Sequence, residues 1–220
     1  MKKVLLAIAL FFFSASCFAY NDYSTTKGDF KIFSLGDRFE VVKEKFNYLM
    51  DKKEISADSN CLKTLTNGFG WAVLSNVNTL YHNSNVMLSV SADDGLFDIK
   101  ISFDSVSEEY YESLKNFVEQ VVIKNFNSIY GKPVFKNSFP TINDLKKETT
   151  KGILGYYSSK YLVGWKTNSK IVITTVHMST SDQKNGLENA NPFHISIEII
   201  TPKAYQDRID GWESKSHDFN

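Results

Sequence analysis

Apolar residues along this chain recur with two different periods. From Ser34 the stretch SLGDRFEVVKEKFNYLM places Leu35, Phe39, Val42, Phe46 and Leu49 four, three, four and three residues apart, which is the single stripe of an amphipathic helix. Asp37 stands where an N-cap is expected, and Glu40 three residues on completes a capping-box-like start. Residues 51–68 are polar and carry no period. Trp71–Val77 then reads as a strand, and Val86, Leu88 and Val90 alternate with polar or flexible neighbours. Asp94-Gly95 reads as a hairpin turn. In LFDIKISFD, Phe97, Ile99, Ile101 and Phe103 fall on one face and Asp98, Lys100 and Ser102 on the other, predicting an antiparallel strand with one face dry and one wet.

The longer period returns after Ser107, read as an N-cap with Glu108 and Glu109 in the first turn, where the helix dipole favours acids. Tyr110, Leu114, Phe117, Val121 and Ile129, with Val118 and Val122 beside them, predict a broad-faced helix to about Tyr130; Gly131 stops it and Pro133 prevents a restart. A long connection is expected over 134–160, with one short helix near Asn143–Glu148. Strands resume in YLVGW, KIVITTVHM and HISIEII; Pro202 closes the last of them, and a short helix is expected over Ala204–Trp212 before a polar tail at 214–220. The order is helix and three strands, twice, over residues 33–104 and 105–213 after a lead-in at 20–32. The fold class is α+β: two similar helix-plus-three-strand units, their helices packed on one face of antiparallel sheet. Residue identities do not repeat, so the duplication rests on element order.

The first residues belong to neither period. Lys2 and Lys3 precede an unbroken apolar run, Val4–Phe13, and then small residues, the layout of a secretory signal peptide. The run is about half the roughly 20 residues a membrane span needs. Small residues at Cys17 and Ala19 place cleavage after Ala19, making 1–19 the signal peptide and releasing a protein to the periplasm or the medium. The alternative is lipidation at Cys17, which follows Ser14, Ala15 and Ser16 but lacks the large aliphatic residue of a lipoprotein signal. The chain has 25 basic and 25 acidic residues, and loss of Lys2 and Lys3 leaves a formal charge of −2. The lysines are dispersed among acids, which gives no basic face for nucleic acid. Cys61 alone would remain after cleavage, so no intramolecular disulfide forms, and it is expected to act as a small buried hydrophobe.

The helix opening SLGDRFEVVKEKF resembles that of small exported bacterial modules of the outer-membrane assembly lipoprotein type, whose shape is shared with tandem β-lactamase inhibitor proteins. The series DDGLFDIKISFD, a helix ending NFNSIYGKP, then Trp165, KIVIT and HISIEII is similar to the second half of many exported bacterial proteins. The resemblance covers about two thirds of the mature chain, through fold punctuation and not through a reactive motif. It implies a non-enzymatic module whose sheet and loops bind another protein, of inhibitor or immunity type.

Chemistry is sparse by comparison. The chain has no Gly-x-Ser-x-Gly elbow, His-Glu-x-x-His helix, phosphate-cradling glycine loop or calcium loop. Ser181 and Lys184 form Ser-x-x-Lys, but in the loop sequence SDQKNG and not at the helix start that acylation chemistry requires. His177 and His194 close the last two strands and can meet across their hairpin; with Met178 they would make a soft site suited to copper. His177 shares a face with Ile171 and Ile173, the setting of a structural histidine, and two ligands fall short of a metal site's three or four. No cofactor is expected, and His82 and His217 lie in polar surroundings. Tyr156, Tyr157 and Tyr161, interspersed with Ser and Gly, have the composition of a recognition surface, while Trp165 is expected in the core. The expected partner is a protein, taken on the open sheet face and the 134–160 loop. A hydrolase or metal-dependent enzyme of the envelope is the alternative, to be distinguished by whether His177, His194 and an acid share one pocket.

Overall fold

The computed structural model describes residues 23, 27–148, 150–152, 155–181 and 192–217. The expected signal peptide, with Cys17 and Ala19, and Lys184 lie outside the described residues. The described residues form one nine-stranded antiparallel sheet with five α-helices, a mixed α+β architecture. In chain order the elements are α1 (Phe39–Asp51), β1 (Asn60–Cys61), β2 (Phe69–Thr79), β3 (His82–Ser91), β4 (Gly95–Phe103), α2 (Tyr111–Phe117), α3 (Ile123–Tyr130), β5 (Phe135–Lys136), α4 (Ile142–Lys147), β6 (Thr150–Gly152), β7 (Gly155–Lys166), β8 (Ile171–Ser181), β9 (Phe193–Ile200) and α5 (Pro202–His217). A 3₁₀ turn at Glu108–Tyr110 leads into α2, and a π-helical turn at Val118–Val122 joins α2 to α3. Strand order is β1-β2-β3-β4-β9-β8-β7-β5, with β6 also on β7. The two meanders β2–β3–β4 and β7–β8–β9 therefore meet through their last strands, with Lys100 opposite Glu198 and Ser102 opposite Ser196.

One face of the sheet is covered by α1, α2 and α3. Phe39, Val42, Phe46 and Leu49 of α1 are buried, packing with Leu74, Leu88 and Ile99 of the sheet in one continuous core. Farther along that core, Phe126 and Trp165 lie 5.4 Å apart, and the indole N–H of Trp165 donates to Asn127 Oδ1 at 3.0 Å. Asp37 is not the N-cap of α1; Arg38 holds that position without a side-chain bond. Asp37 instead accepts from the Ser34 N–H and from the buried Lys45 ammonium, both through Oδ2 at 2.8 and 2.7 Å, so it ties the lead-in segment to the second turn. Ser107 likewise makes no cap bond. In the second helical stretch Leu114, Phe117, Val118 and Val122 are buried as the pattern has them, but Tyr110 and Ile129 are exposed, and Tyr111 and Phe126 are buried in their place. The π-helical turn inserts an extra residue into the ladder and rotates the helix beyond it, so a single 3.6-residue stripe cannot describe both ends.

The β3–β4 connection is a three-residue turn closed by Gly95 at φ 67°, not a two-residue one. A side chain at Gly95 would meet the Gly36 carbonyl oxygen at 2.7 Å, where the backbone of the lead-in segment bonds to Leu96 in both directions. The ladder resumes with Val90 opposite Leu96 and Ser89 opposite Asp98, so Phe97 bulges out and Leu96, not Phe97, enters the core. The 134–160 segment is not one loop. It contains β5, β6, the first residues of β7 and α4, which has a reciprocal capping box between Thr141 and Asp144.

The opposite face, called here the outer face, is covered over part of its area by α5. Pro202 supplies the first residue of that helix, where its missing N–H costs nothing. Ala204 and Tyr205 pack on Ile171, Ile173 and Ile200, which form a small second cluster. Arg208 reaches back to the sheet and binds Glu198 through both carboxylate oxygens at 2.7 and 2.8 Å. Among the described residues no helix is long and apolar enough to cross a membrane.

Candidate functional site

The period-two rule places alternate residues of β9 on the outer face: His194, Ser196 and Glu198. The flanking strands add His177 opposite His194 and Thr175 opposite Ser196 from β8, and Lys100 opposite Glu198 from β4. On β7, Tyr161 lies opposite Thr175 and Ser159 opposite His177. With Arg208 of α5 as one wall, these side chains line a basin of about 360 Å³.

Its interior is hydrogen-bonded and unevenly charged. The rings of His177 and His194 stack at 4.6 Å, 15° from parallel, and His177 Nε2 lies 2.7 Å from Ser196 Oγ. Burial disfavours a charged imidazole, and the neighbouring His194 and Lys100 disfavour it further, so the His177 pKa falls to about 3. That of His194 is lowered as well, by burial and then by Lys100. Both rings are therefore neutral at physiological pH. Behind the basin Asp98 is buried, with Oδ2 3.5 Å from Arg208 and Oδ1 without a hydrogen-bond partner among the described residues. Burial, and then repulsion from Glu198, raise its pKa to about 7. Arg208 is committed to Glu198 and Asp98, whereas Lys100 makes no hydrogen bond or ion pair among the described residues.

Of the tyrosines singled out by composition, Tyr157 (54% exposed) and Tyr161 (42%) lie on the rim of the basin. Tyr161 is on a strand, as the YLVGW pattern has it, and Tyr157, within the expected 134–160 connection, is on the same strand, β7. Tyr156 is also on β7, opposite Thr180, and its side chain is outside the described residues. The copper-type set of His177, His194 and Met178 is not assembled, because Met178 alternates onto the opposite face and lies in the core. Among the described residues no group of three or more His, Cys, Asp or Glu is placed to hold a metal ion. Cys61 is half-buried on β1, and burial raises its thiol pKa away from reactivity.

Four contributors escaped the sequence reading. Lys100 was visible only as the polar parity of a strand, Ser196 and Glu198 as that of another, and nothing local says that β4 and β9 pair. Arg208 sits on a helix whose docking site is set by tertiary packing.

The other half of the outer face differs. Phe69 (60% exposed), Trp71 (36%) and Met87 (41%) are open to solvent there, and Phe97 packs edge-on to Phe69. Met87 is opposite Lys100, so this apolar patch runs directly into the basin. A separate hollow of about 230 Å³ on the helix side lies between His82, Phe103 and Phe117; its walls are largely apolar, and the His82 ring lies 4.3 Å from that of Phe117.

In comparisons with known proteins, no family model, no curated protein and no solved structure matches the chain.

Proposed function

We propose that the chain is an exported, non-enzymatic binding module, released to the periplasm or the medium by cleavage after Ala19, that takes a protein partner on the outer face of its sheet. The observation that carries this reading is the continuity of the exposed Phe69, Trp71 and Met87 with the polar basin. Exposed apolar patches of that kind mark interaction sites, and an apolar centre beside polar groups is the anatomy of a protein interface. The partner fitting this surface presents a large apolar side chain to Trp71 and Met87 and an acidic group toward Lys100. The resemblance to assembly-lipoprotein and inhibitor-like modules supports the same reading, in an inhibitor or immunity role. On this reading β2–β3–β4 and β7–β8–β9 are two copies of one helix-and-meander unit, joined across the β4–β9 seam. In its favour, α1 packs on β2 and β4, while α2 and α3 pack on β9 and β7.

The mature chain, immobilised and exposed to an envelope extract of the cell that makes it, should retain one defined polypeptide. Trp71→Ser and Met87→Asp should lose it and Tyr81→Ser should keep it. A retained set indifferent to all three substitutions, or no retention at all, ends the proposal. Mass spectrometry of the mature N-terminus separates cleavage after Ala19 from lipidation at Cys17.

A second reading, an envelope hydrolase, is favoured by the 2.7 Å contact between Ser196 and His177 and by the sharing of one basin by His177, His194 and Glu198. Against it, an imidazole with a pKa of about 3 is a weak base at neutral pH. β9 is also paired on both sides, so its N–H groups are not free to stabilise an oxyanion. Ester turnover abolished by Ser196→Ala would establish the hydrolase.

A further inference from the structure

Below about pH 7 the basin holds one positive charge more than it compensates. Arg208 is bound by Glu198 through two hydrogen bonds, Asp98 holds a proton over much of the neutral range, and the two imidazoles are neutral. Lys100 remains, partly buried, facing Glu198 across the ladder but making no hydrogen bond or ion pair among the described residues. An ammonium on a concave, partly desolvated surface attracts an anion more strongly than one in bulk water. The other groups facing the same space, Ser159, Thr175 and the Tyr161 phenol, can donate hydrogen bonds. The Tyr161 phenol keeps its proton because burial raises its pKa.

We propose that this basin binds a carboxylate beside the Lys100 ammonium, and that the imidazole pair of His177 and His194 takes up a proton from solvent as the carboxylate binds. The stoichiometry follows from the charges: one uncompensated cation matches a monovalent acid, whereas a phosphate dianion calls for a second cation and Arg208 is already committed. The source of the carboxylate rests on the reading above: an Asp or Glu side chain, or the C-terminus, of the protein partner.

Proton uptake follows from what opposes charge on the rings. His177 is disfavoured as a cation by burial, by His194 on β9 and by Lys100 on β4. The remaining charged or titratable groups around the basin are Asp98 on β4, Glu198 on β9, Tyr157 and Tyr161 on β7, and Arg208 on α5. A carboxylate beside Lys100 offsets the ammonium and stabilises an imidazolium directly, so the two binding events are linked and each strengthens the other. Ser196 transmits the change. In the neutral tautomer with its proton on Nδ1, His177 accepts the Ser196 hydroxyl at Nε2 across the 2.7 Å contact; once Nε2 carries a proton it becomes the donor, and the Ser196 hydroxyl proton is free to turn toward the ligand.

The test uses the full mature chain and small probes, so it is independent of whether a protein partner is found. The ring signals of His177 and His194 are followed by NMR during titration with acetate, with N-acetylglutamate, and with chloride and inorganic phosphate at matched ionic strength. Acetate and N-acetylglutamate should give saturable shifts, raise the midpoint of at least one histidine, and bind several-fold more tightly at pH 5.5 than at pH 7.5. Chloride should give none. Lys100→Met should abolish the shifts with near-UV dichroism unchanged; if that variant fails to fold, Lys100→Arg should retain binding and Ser196→Ala should weaken the pH dependence. Absence of saturable shifts, tighter binding of phosphate than of either carboxylate, or binding unaffected by pH overturns the proposal. Carboxylate binding without capture of a protein would sink the partner reading alone.

Discussion

The two halves of the outer face are built from the same kind of strand and end in opposite states. Over β2, β3 and the turn end of β4 the outward residues include Phe69, Trp71, Met87 and Phe97, and the aromatic and thioether surface is open to water. Over β9, β8 and β7 they are His194, Ser196, Glu198, Thr175 and His177, and α5 lies against part of that surface. The difference teaches that polar residues on a sheet face do not mark the wet side. Asp98 and Glu198, which alternate outward as solvent-facing residues do, are among the better buried acids because Arg208 covers them, while Trp71 and Met87 remain exposed. Burial follows what packs on the face, and under the proposed function a partner would give the apolar half the cover that α5 gives the polar half.

The largest test of that contrast is removal of the cover. Arg208→Ala leaves Glu198 and Asp98 desolvated without their cation, which costs more than the pair itself is worth. Since the guanidinium is partly exposed, a loss of about 2–3 kcal/mol is expected, read by urea denaturation together with loss of α5 helicity in the far-ultraviolet. Next is Trp71→Ala on the uncovered half, which should change stability by less than about 1 kcal/mol yet weaken partner binding by about 2 kcal/mol if Trp71 anchors the interface. Calorimetry on the captured partner measures it. Equal losses of stability from both substitutions would erase the distinction between the two halves.

A third test uses acid. The folded pKa of Asp98, about 7, lies above its unfolded value of 3.8, so its contribution is fully present below about pH 4 and is lost as pH rises through 7. The folded pKa of His177, about 3, lies below its unfolded value of 6.5, so its contribution is present above pH 6.5 and is lost as pH falls toward 3. The two oppose each other between pH 4 and 6.5. Asp98→Asn should therefore make the protein lose stability on acidification, and His177→Asn should make it lose stability as pH rises, both read as urea midpoints from pH 4.5 to 8. The smallest effect belongs to the β2–β3 turn at the end of the apolar half, where Leu80 and Tyr81 both have positive φ, 51° and 67°. Tyr81 is almost fully exposed, and Tyr81→Gly should raise stability by about 1 kcal/mol through relief of left-handed strain, visible as a higher melting temperature with partner binding unchanged.

What could be read from the sequence was whatever a short window contains. Phe39, Val42, Phe46 and Leu49 name the buried face of α1, and Ile99, Ile101 and Phe103 that of β4, because a fixed period links neighbours in the chain to neighbours in space. The reading failed where that link is broken. A bulge at Phe97 shifted the parity by one residue, the π-helical turn at Val118–Val122 rotated Ile129 outward, and Tyr156 and Tyr157 read as loop because the aromatic run has no alternation. For the basin, His177 and His194 were legible as a hairpin pair. Lys100 and Arg208 were not, since they arrive from a strand about a hundred residues upstream and from a helix whose landing place only the folded sheet defines.

The β4–β9 seam also sets a schedule. β9 lies at the middle of the sheet but is the last of the described strands along the chain, so the keystone strand is the last of them to be made. Until it arrives, β4 and β8 each present a raw edge, and the molecule is two unfinished pieces waiting for a wedge.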